Sequence, residues 1–318
     1  MAKVYTADEI VALARQKAQA PKTGATGSLE ADLLAHANEF LLSTLAPLIL
    51  ARREDYFARA RRTALVAATS HYPIEPRAML GATLDVRYVN GDGNYQGPLE
   101  YIDSGDVDEL RSETTVAIPL AFWLEDDSIR LWPDLSAAPE GWLEQFVAIR
   151  PGELVLVTNA RRVETVDSTT QVTLTETVPS TWVDGSVFDV HAPASGARLR
   201  AWSKTGATVS GTGITFATVI NGSIHGERAV AAGDYVCLEE ECAVPPVPKE
   251  FHPLIATAAA SLFCESIGDH ENHARLEQEL QRKLQAALEP MKPRVVGKPK
   301  KIRGTPYSRM QGRKYIAG

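Results

Sequence analysis

Two histidines in the C-terminal part of the chain have a spacing that metal sites use. His270 and His273 lie at positions i and i+3 beside Asp269 and Glu271, in the first turn of a predicted helix. Two imidazoles on one helix face can ligate zinc when further ligands lie close by. No third ligand cluster lies nearby in the sequence, and a solvated capping turn explains all four residues. The pattern therefore favours a helix start, and we expect no metal and no cofactor.

The three cysteines, Cys237, Cys242 and Cys264, are too few and of the wrong parity for a disulfide framework. The polar run between Cys237 and Cys242 matches neither a CxxC redox motif nor one face of a helix. We interpret all three as buried or incidental residues of a cytosolic protein. The N-terminus has no apolar signal-peptide core, and no run approaches the roughly 18 residues of a membrane-spanning helix. We therefore expect assembly in a cytoplasm and no membrane association.

Four further motifs resemble catalytic or modification sites but lack the context those sites need. Glu125-Asp126-Asp127 offers paired carboxylates such as glycosidases use, yet adjacent residues between two predicted strands are typical of a hairpin turn. Ser195-Gly196 lacks the flanking glycine of a nucleophile elbow, and Gly211-Thr212-Gly213 lacks the helix that follows a phosphate-binding loop. Asn221-Gly222-Ser223 fits a glycosylation sequon in a chain with no export signal. The sequence therefore predicts that the protein is not an enzyme.

The chain ends in a strongly basic segment. Its last 28 residues, Met291–Gly318, contain three prolines, four glycines, no Asp or Glu and nine basic residues. Such a composition buries too little apolar surface to offset its ordering entropy, so we expect an extended arm that becomes ordered on a partner. The whole chain has a formal net charge of −7, so the remainder carries −16. The basic residues are Lys292, Arg294, Lys298, Lys300, Lys301, Arg303, Arg309, Arg313 and Lys314.

Three interpretations of this arm are open. It can be a solubilising end, it can bind DNA through counterion release, or it can dock on an acidic protein surface. Two tyrosines favour docking, because Tyr gives a large contact area at low entropic cost. The predicted partner-binding residues are Lys298, Lys300, Lys301, Arg303, Tyr307, Arg309, Arg313, Lys314 and Tyr315.

Helical patterns occupy the N-terminal part of the chain. Thr6 and Glu9 form a capping box in front of the first helix. Ser28 is the predicted N-cap of a second helix, which Pro47 should kink or restart. Beyond the proline, Leu48–Arg62 continues the helical spacing and ends in three arginines.

The centre of the chain has the alternation of β-strands. Leu84–Val89 is followed by Asn90-Gly91-Asp92-Gly93, a hairpin-type turn. Many short strands at near-regular spacing favour a sandwich or barrel. The other predicted strands are Val116–Trp123, Ser128–Trp132, Leu154–Thr158, Thr170–Thr177, Arg198–Trp202, Gly213–Val219 and Asp234–Leu238.

Helix returns at Pro253, and Gly268 ends that helix before Asp269 caps another. Leu276, Leu280, Leu284 and Leu288 then form one stripe at four-residue spacing, which predicts subunit or core packing.

We therefore expect an α+β fold, in which a helical bundle from the N- and C-terminal segments carries an inserted antiparallel β-sandwich or barrel-like region and an extended arm. The predicted domains are 1–63 with 249–290 (helical), 64–248 (β, as one domain or as lobes 64–150 and 151–248) and 291–318 (arm).

Nine stretches in order along the chain combine packing and turn motifs: Tyr5–Arg15, Ala37–Phe40, Pro47–Leu50, Thr69–Ile74, Pro98–Tyr101, Ile129–Pro133, Gly233–Leu238, Val247–Leu254 and Gly297–Ile302. Together they resemble the head-to-tail adaptor (connector, head-completion) proteins of tailed bacteriophages. Residues 151–232 match this family least.

The resemblance implies a structural virion protein of the neck, with no catalytic residues. It implies a ring, usually of twelve copies, between the portal protein and the tail, through which genomic DNA passes without specific binding. It also implies helices packed between subunits and a C-terminal arm that reaches the portal or a neighbouring subunit. Two alternatives from other classes are a DNA-binding module that uses the basic arm and a carbohydrate-binding or receptor-binding β protein.

Overall fold

The structure is a computed structural model that describes residues 3–20, 26–53, 56–66, 69–103, 118–133, 141–193, 199–220 and 227–291. Within these residues, helices occupy the two ends of the chain and mostly antiparallel strands occupy its centre. The α+β class expected from the sequence is therefore confirmed, and the β region includes a closed six-stranded barrel. The partner-binding residues predicted in the arm lie beyond residue 291, outside the described residues.

The helices are α1 (Ala7–Lys17), α2 (Thr26–Glu39), α3 (Ala46–Arg52), α4 (His252–Ser266) and α5 (His270–Leu288). A π-helical segment spans Phe40–Leu45, and 3₁₀ turns span Val157–Asn159 and Glu289–Met291. The strands are β1 (Ala58–Ala64), β2 (His71–Pro73), β3 (Ala78–Asn90), β4 (Tyr95–Pro98), β5 (Glu100–Tyr101), β6 (Ala121–Glu125), β7 (Ser128–Trp132), β8 (Gly141–Ile149), β9 (Glu153–Leu154), β10 (Arg161–Val166), β11 (Gln171–Leu174), β12 (Val187–His191), β13 (Leu199–Ser210), β14 (Gly213–Phe216), β15 (Tyr235–Leu238) and β16 (Glu241–Cys242).

The predicted capping box at the start of α1 is confirmed. The Thr6 hydroxyl accepts a hydrogen bond from the Glu9 N–H at 3.4 Å, and the Glu9 carboxylate accepts one from the Thr6 N–H at 3.1 Å. Two of the four N–H groups that an isolated helix start leaves unpaired are thereby satisfied. The second helix begins at Thr26, two residues before the predicted N-cap Ser28.

The disturbance expected at Pro47 takes the form of a π-helical segment. In this segment the hydrogen bond skips one residue, so that the Ala46 N–H bonds the Leu41 carbonyl five positions back. Pro47 then lies in the first turn of α3, directly after the π-helical segment. The chain therefore stays helical through the proline.

The helix predicted over Leu48–Arg62 is wrong beyond Arg52, where α3 ends. The arginine-rich stretch forms β1 instead, because it pairs along its whole length with β8. Arg62 lies opposite Glu144 in this pairing, and its Nε is 2.7 Å from that carboxylate. Pairing with β8 thus decides the structure of this stretch, although its residue spacing is typical of a helix.

One continuous helical run is long and apolar enough, by length and composition alone, to cross a membrane. It spans Leu29–Arg52, with an 18-residue window of mean hydropathy 1.4, of which 39% is buried inside the fold. This corrects the sequence expectation that no run approaches that length. Buried core helices pass the same test, and Leu33, Leu41 and Leu45 of this run are fully buried.

Two four-stranded sheets and the barrel form the β region. The strand orders are β1-β8-β3-β4 and β2-β7-β6-β5 for the sheets, and β10-β11-β14-β13-β12-β15 for the barrel. The hairpin predicted at Asn90-Gly91-Asp92-Gly93 joins β3 to β4, with Gly93 at φ +80°. Leu199 and Trp202 of β13 pack into the core of the sheets while Ala201 packs into the barrel core, so β13 joins the two cores.

The strands β8 and β12 were not predicted, and one predicted strand, Leu154–Thr158, is mostly not a strand. Leu154–Thr158 contributes only the last residue of β9 before a 3₁₀ turn. β8 was not predicted, because it lies between β1 and β3 and is buried over most of its length, so it has no polar-apolar alternation. β12 is buried at four of five positions for the same reason.

Helices from both ends of the chain share one hydrophobic core. α4 packs against α1, α2 and α5, and its buried residues cover most of its circumference. The predicted cap of α5 is confirmed, since the Asp269 side chain accepts a hydrogen bond from the Asn272 N–H at 3.2 Å. The helical core contacts the strands through Asn38, whose amide exchanges two hydrogen bonds with the Leu154 backbone at 3.0 and 2.6 Å.

Candidate functional site

The predicted basic arm, residues 291–318, follows the C-terminal end of α5 in the sequence. Leu276, Leu280, Leu284 and Leu288 are all less than 8% exposed. They belong to the same hydrophobic cluster as α1 to α4 of the same chain. Within one chain the predicted stripe is therefore core packing, and the helix that precedes the predicted arm is held in place by the core.

A charged triad attaches the outer side of α5 to α1. The Glu279 carboxylate lies 2.6 Å from Lys283 Nζ on the same helix and 2.9 Å from Lys17 Nζ on α1. These two ammonium groups lower the pKa of Glu279 to about 2, with the hydrogen bond from Lys283 as the largest cause. The carboxylate is therefore charged at neutral pH, and it bridges the two ends of the chain.

The acidity of the chain is concentrated in the inserted β region. Residues 64–248 contain 26 Asp and Glu against 11 Lys and Arg. The residues after Met291 contain nine Lys and Arg and no carboxylate side chain. The two parts therefore carry opposite formal charges.

A buried ion pair joins the barrel to the loop that precedes β3 of the four-stranded sheet β1-β8-β3-β4. Arg77, in the loop before β3, lies 2.7 Å from Asp189 on β12, and the two side chains are 4% and 0% exposed. The Asp189 carboxylate also accepts hydrogen bonds from the Ser203 N–H at 3.0 Å and the Glu240 N–H at 3.2 Å. Ser203, inside β13, and Glu240 both have positive φ, at +51° and +65°, so this one carboxylate stabilises two residues in the left-handed region.

No sequence pattern identifies this pair. Arg77 and Asp189 are 112 residues apart. Neither lies in a motif, and Asp189 occupies a strand that was not predicted. No local signal could have joined them, because a buried ion pair is recognisable only once the fold brings its partners together.

Two further ion pairs are part of the barrel. Lys204 lies 2.9 Å from Glu227, and Arg200 lies 3.3 Å from Asp234. Burial raises the pKa of both carboxyl groups, and hydrogen bonds from their partners partly oppose this rise. These groups neutralise one another within the fold, so they leave the exposed carboxylates as the source of the acidic surface.

The structure separates the two histidines of the sequence analysis. His270 is exposed at the start of α5, whereas His273 Nδ1 lies 3.1 Å from the Ser261 carbonyl oxygen and 3.2 Å from the Ser261 hydroxyl. His273 thus links α5 to α4. Among the described residues, no group of three or more His, Cys, Asp or Glu is arranged to hold a metal ion.

The cysteine thiols are reduced and lie in the interior of the protein. Burial raises the pKa of the Cys237 and Cys242 thiols well above the ordinary thiol value. The Cys242 thiol donates to the Gly152 carbonyl oxygen at 3.2 Å. A protonated, buried thiol is a poor nucleophile, so both residues are suited to packing.

The remaining motifs lie in turns or outside the described residues. Glu125-Asp126-Asp127 forms the predicted tight turn between β6 and β7, with Asp126 at φ +55°, and Glu125 is paired with Arg130 at 3.1 Å. Gly211-Thr212-Gly213 joins β13 to β14, as a strand-to-strand turn. The Ser195-Gly196 and Asn221-Gly222-Ser223 motifs lie outside the described residues.

No protein-family model matches the chain, and no curated protein matches it.

Proposed function

We propose that the protein is a ring-forming head-to-tail adaptor of a tailed bacteriophage, which joins the portal to the tail and forms part of the DNA conduit. The observation that carries the proposal is the junction at Met291, where a helix packed in the core of an acidic protein is followed in the sequence by nine basic residues and no carboxylate side chain. A helix end fixed by the core, followed by a cationic segment with the composition of an extended arm, would suit attachment to a larger assembly. The order of motifs along the chain supports the same function.

The finer architecture belongs to this proposal. The helices of residues 1–63 and 249–290 would form a bundle that packs between neighbouring subunits, with the β region of residues 64–248 facing outwards. The N- and C-terminal helices already share one core within the chain. A bundle built from both chain ends keeps the arm close to the N-terminal segment, so one face of each subunit would carry both chain ends.

The charge distribution supports a passive conduit for DNA. A channel through which DNA slides must not hold phosphates tightly. Residues 1–290, the trunk of the protein, have a net charge of −16 and do not attract phosphates. The protein would therefore hold its place by contacts between proteins. In a ring, many weak arm contacts add up to stable attachment through effective concentration.

The first prediction concerns removal of the arm. A chain that ends at Met291 should fold normally, because the core of α5 lies before that point, but its affinity for portal rings should fall by about 10²-fold or more. Co-sedimentation of purified protein with portal rings measures this. In the full chain, trypsin should cleave the arm rapidly when the protein is alone and slowly when portal is present.

A matched variant separates charge from length. Replacement of Lys298, Lys300, Lys301 and Arg303 by glutamine keeps the arm but removes four charges, so it should weaken binding and its salt dependence together. Electron microscopy of the full chain, alone and with portal, tests ring formation directly. A monomer whose arm remains sensitive to trypsin beside portal rings would contradict the proposed function.

The nine basic residues also favour one second candidate, a module that clamps DNA with the arm. We expect no stable binding of the full chain to duplex DNA at about 0.2 M salt, because the trunk repels phosphates. Fluorescence anisotropy across a series of salt concentrations measures this. Binding that depends on the arm, with a steep salt slope that the four-glutamine variant reduces, would favour the DNA-binding function instead.

A further inference from the structure

A buried histidine fastens the residues before α1 to the start of α4. His252 is fully buried, and its Nδ1 accepts a hydrogen bond from the Tyr5 backbone N–H at 3.1 Å. Its Nε2 lies 3.2 Å from the Val247 carbonyl oxygen. Because Nδ1 accepts, the ring proton is on Nε2, which donates to Val247. Both ring nitrogens are therefore paired with backbone groups only while the imidazole is neutral.

A proton on Nδ1 would break this arrangement. Two N–H donors, one on Tyr5 and one on the ring, would then face each other across a hydrogen-bond distance. The ring could keep its bond to Val247, which accepts in either state. The cost of protonation is therefore borne by the Tyr5 contact. Burial lowers the pKa of His252, which is consistent with a neutral ring at pH 7.

Among the described residues, charged groups lie on both sides of this contact. Glu250, on the segment that leads into α4, favours the protonated ring electrostatically. On the N-terminal side, Lys3 pairs with Glu9 at 2.8 Å, and its ammonium group lies 5.1 Å from the centre of the Tyr5 ring.

Helix α1 has attachments that do not involve His252. The Ala7 N–H donates to the Ala243 carbonyl oxygen at 2.9 Å, and the Val157 N–H donates to the Asp8 carboxylate at 2.8 Å. Ile10 and Ala14 are fully buried in the helical core. Loss of the Tyr5 contact therefore affects the residues before α1 and leaves the helix in place.

We propose that residues 3–5 form a strap that neutral His252 fastens and that protonation of His252 releases, while Thr6 keeps its capping bonds to Glu9 and α1 stays docked. The inference does not depend on the proposed function. The strap is a conformational device that opens on acidification, and it frees the N-terminal residues without unfolding the protein.

Hydrogen exchange of the full chain tests the strap. The protection factor of the Tyr5 amide should fall by about tenfold or more between about pH 7.5 and about pH 4.5, whereas amides in the middle of α1 should keep their protection. NMR titration of the same protein should give one midpoint for the His252 ring and the Tyr5 amide. Unchanged protection of Tyr5, or two different midpoints, would overturn the proposal.

His252→Gln is the matched variant. A glutamine amide can accept from the Tyr5 N–H and donate to Val247, but it does not titrate, so we expect the Tyr5 amide to stay protected at both pH values. Asp8→Asn removes the carboxylate that accepts the hydrogen bond from Val157, and we expect it to keep the pH response of the wild type. If His252→Gln loses Tyr5 protection on acidification as the wild type does, another group controls the strap and the proposal is wrong.

Discussion

Replacing Asp189 with alanine is expected to destabilise the protein by about 3–5 kcal/mol, which is the usual cost of removing one partner from a buried ion pair. The variant leaves the Arg77 guanidinium group in a site where only 4% of the side chain is exposed. It also removes the acceptor for the Ser203 and Glu240 N–H groups. The free energy of unfolding, from urea denaturation followed by circular dichroism, measures the effect.

Further substitutions separate the contributions of the Asp189 charge and of its hydrogen bonds to the free energy of unfolding. Asp189→Asn keeps an oxygen acceptor for one backbone N–H but removes the charge that pairs with Arg77, so it should cost less than alanine. Arg77→Met should be destabilising by itself, because it leaves the Asp189 carboxylate buried without its cation. The Arg77→Met and Asp189→Ala double variant should be destabilised by less than the sum of the two single variants.

A surface pair provides the control for these measurements. Arg87 Nε lies 2.6 Å from the Asp85 carboxylate, but each side chain is about one-third exposed. Asp85→Ala should therefore cost less than about 1 kcal/mol. Additive single-variant effects at Arg77 and Asp189, or a cost at Asp189 no larger than at Asp85, would show that the buried pair does not hold the β region together.

Helix caps and turns were predicted correctly where one short segment of the chain contains all the groups that interact. The capping box of Thr6 and Glu9, the Asp269 cap and the turn that begins at Asn90 depend on residues within four positions of one another. The leucine stripe of α5 is similar, because its period alone defines one apolar face. These features have local physical causes, so they could be predicted.

Features that depend on distant pairing could not be predicted. β1 is a strand because β8 lies beside it, and β8 shows no alternation because neighbouring strands and both layers of core bury it. The link between Arg77 and Asp189 depends on the completed barrel. The partner-binding residues predicted between Lys298 and Tyr315 lie outside the described residues, so their role stays a prediction from charge and composition.

Leu280→Asp is expected to cost at least about 4 kcal/mol, because it combines the loss of a buried leucine with a carboxylate that has no cation beside it in the apolar core. Leu280 is 4% exposed and lies in the middle of the stripe by which α5 contacts α4. A domain is usually stable by only about 5–15 kcal/mol, so α5 should detach or the helical core should unfold. The free energy of unfolding and hydrogen exchange along α5 measure the outcome.

Gln278→Asp is the matched control, since it places the same carboxylate two residues away on the exposed side of α5. It should cost less than about 1 kcal/mol. The two variants also test the proposed role of the arm, because a detached α5 no longer holds Met291, the first residue of the arm, at a defined position. Under the proposed function, Leu280→Asp should lose portal binding although every residue of the arm is present, whereas Gln278→Asp should retain it. Equal stability of the two variants would mean that α5 is not packed in the core.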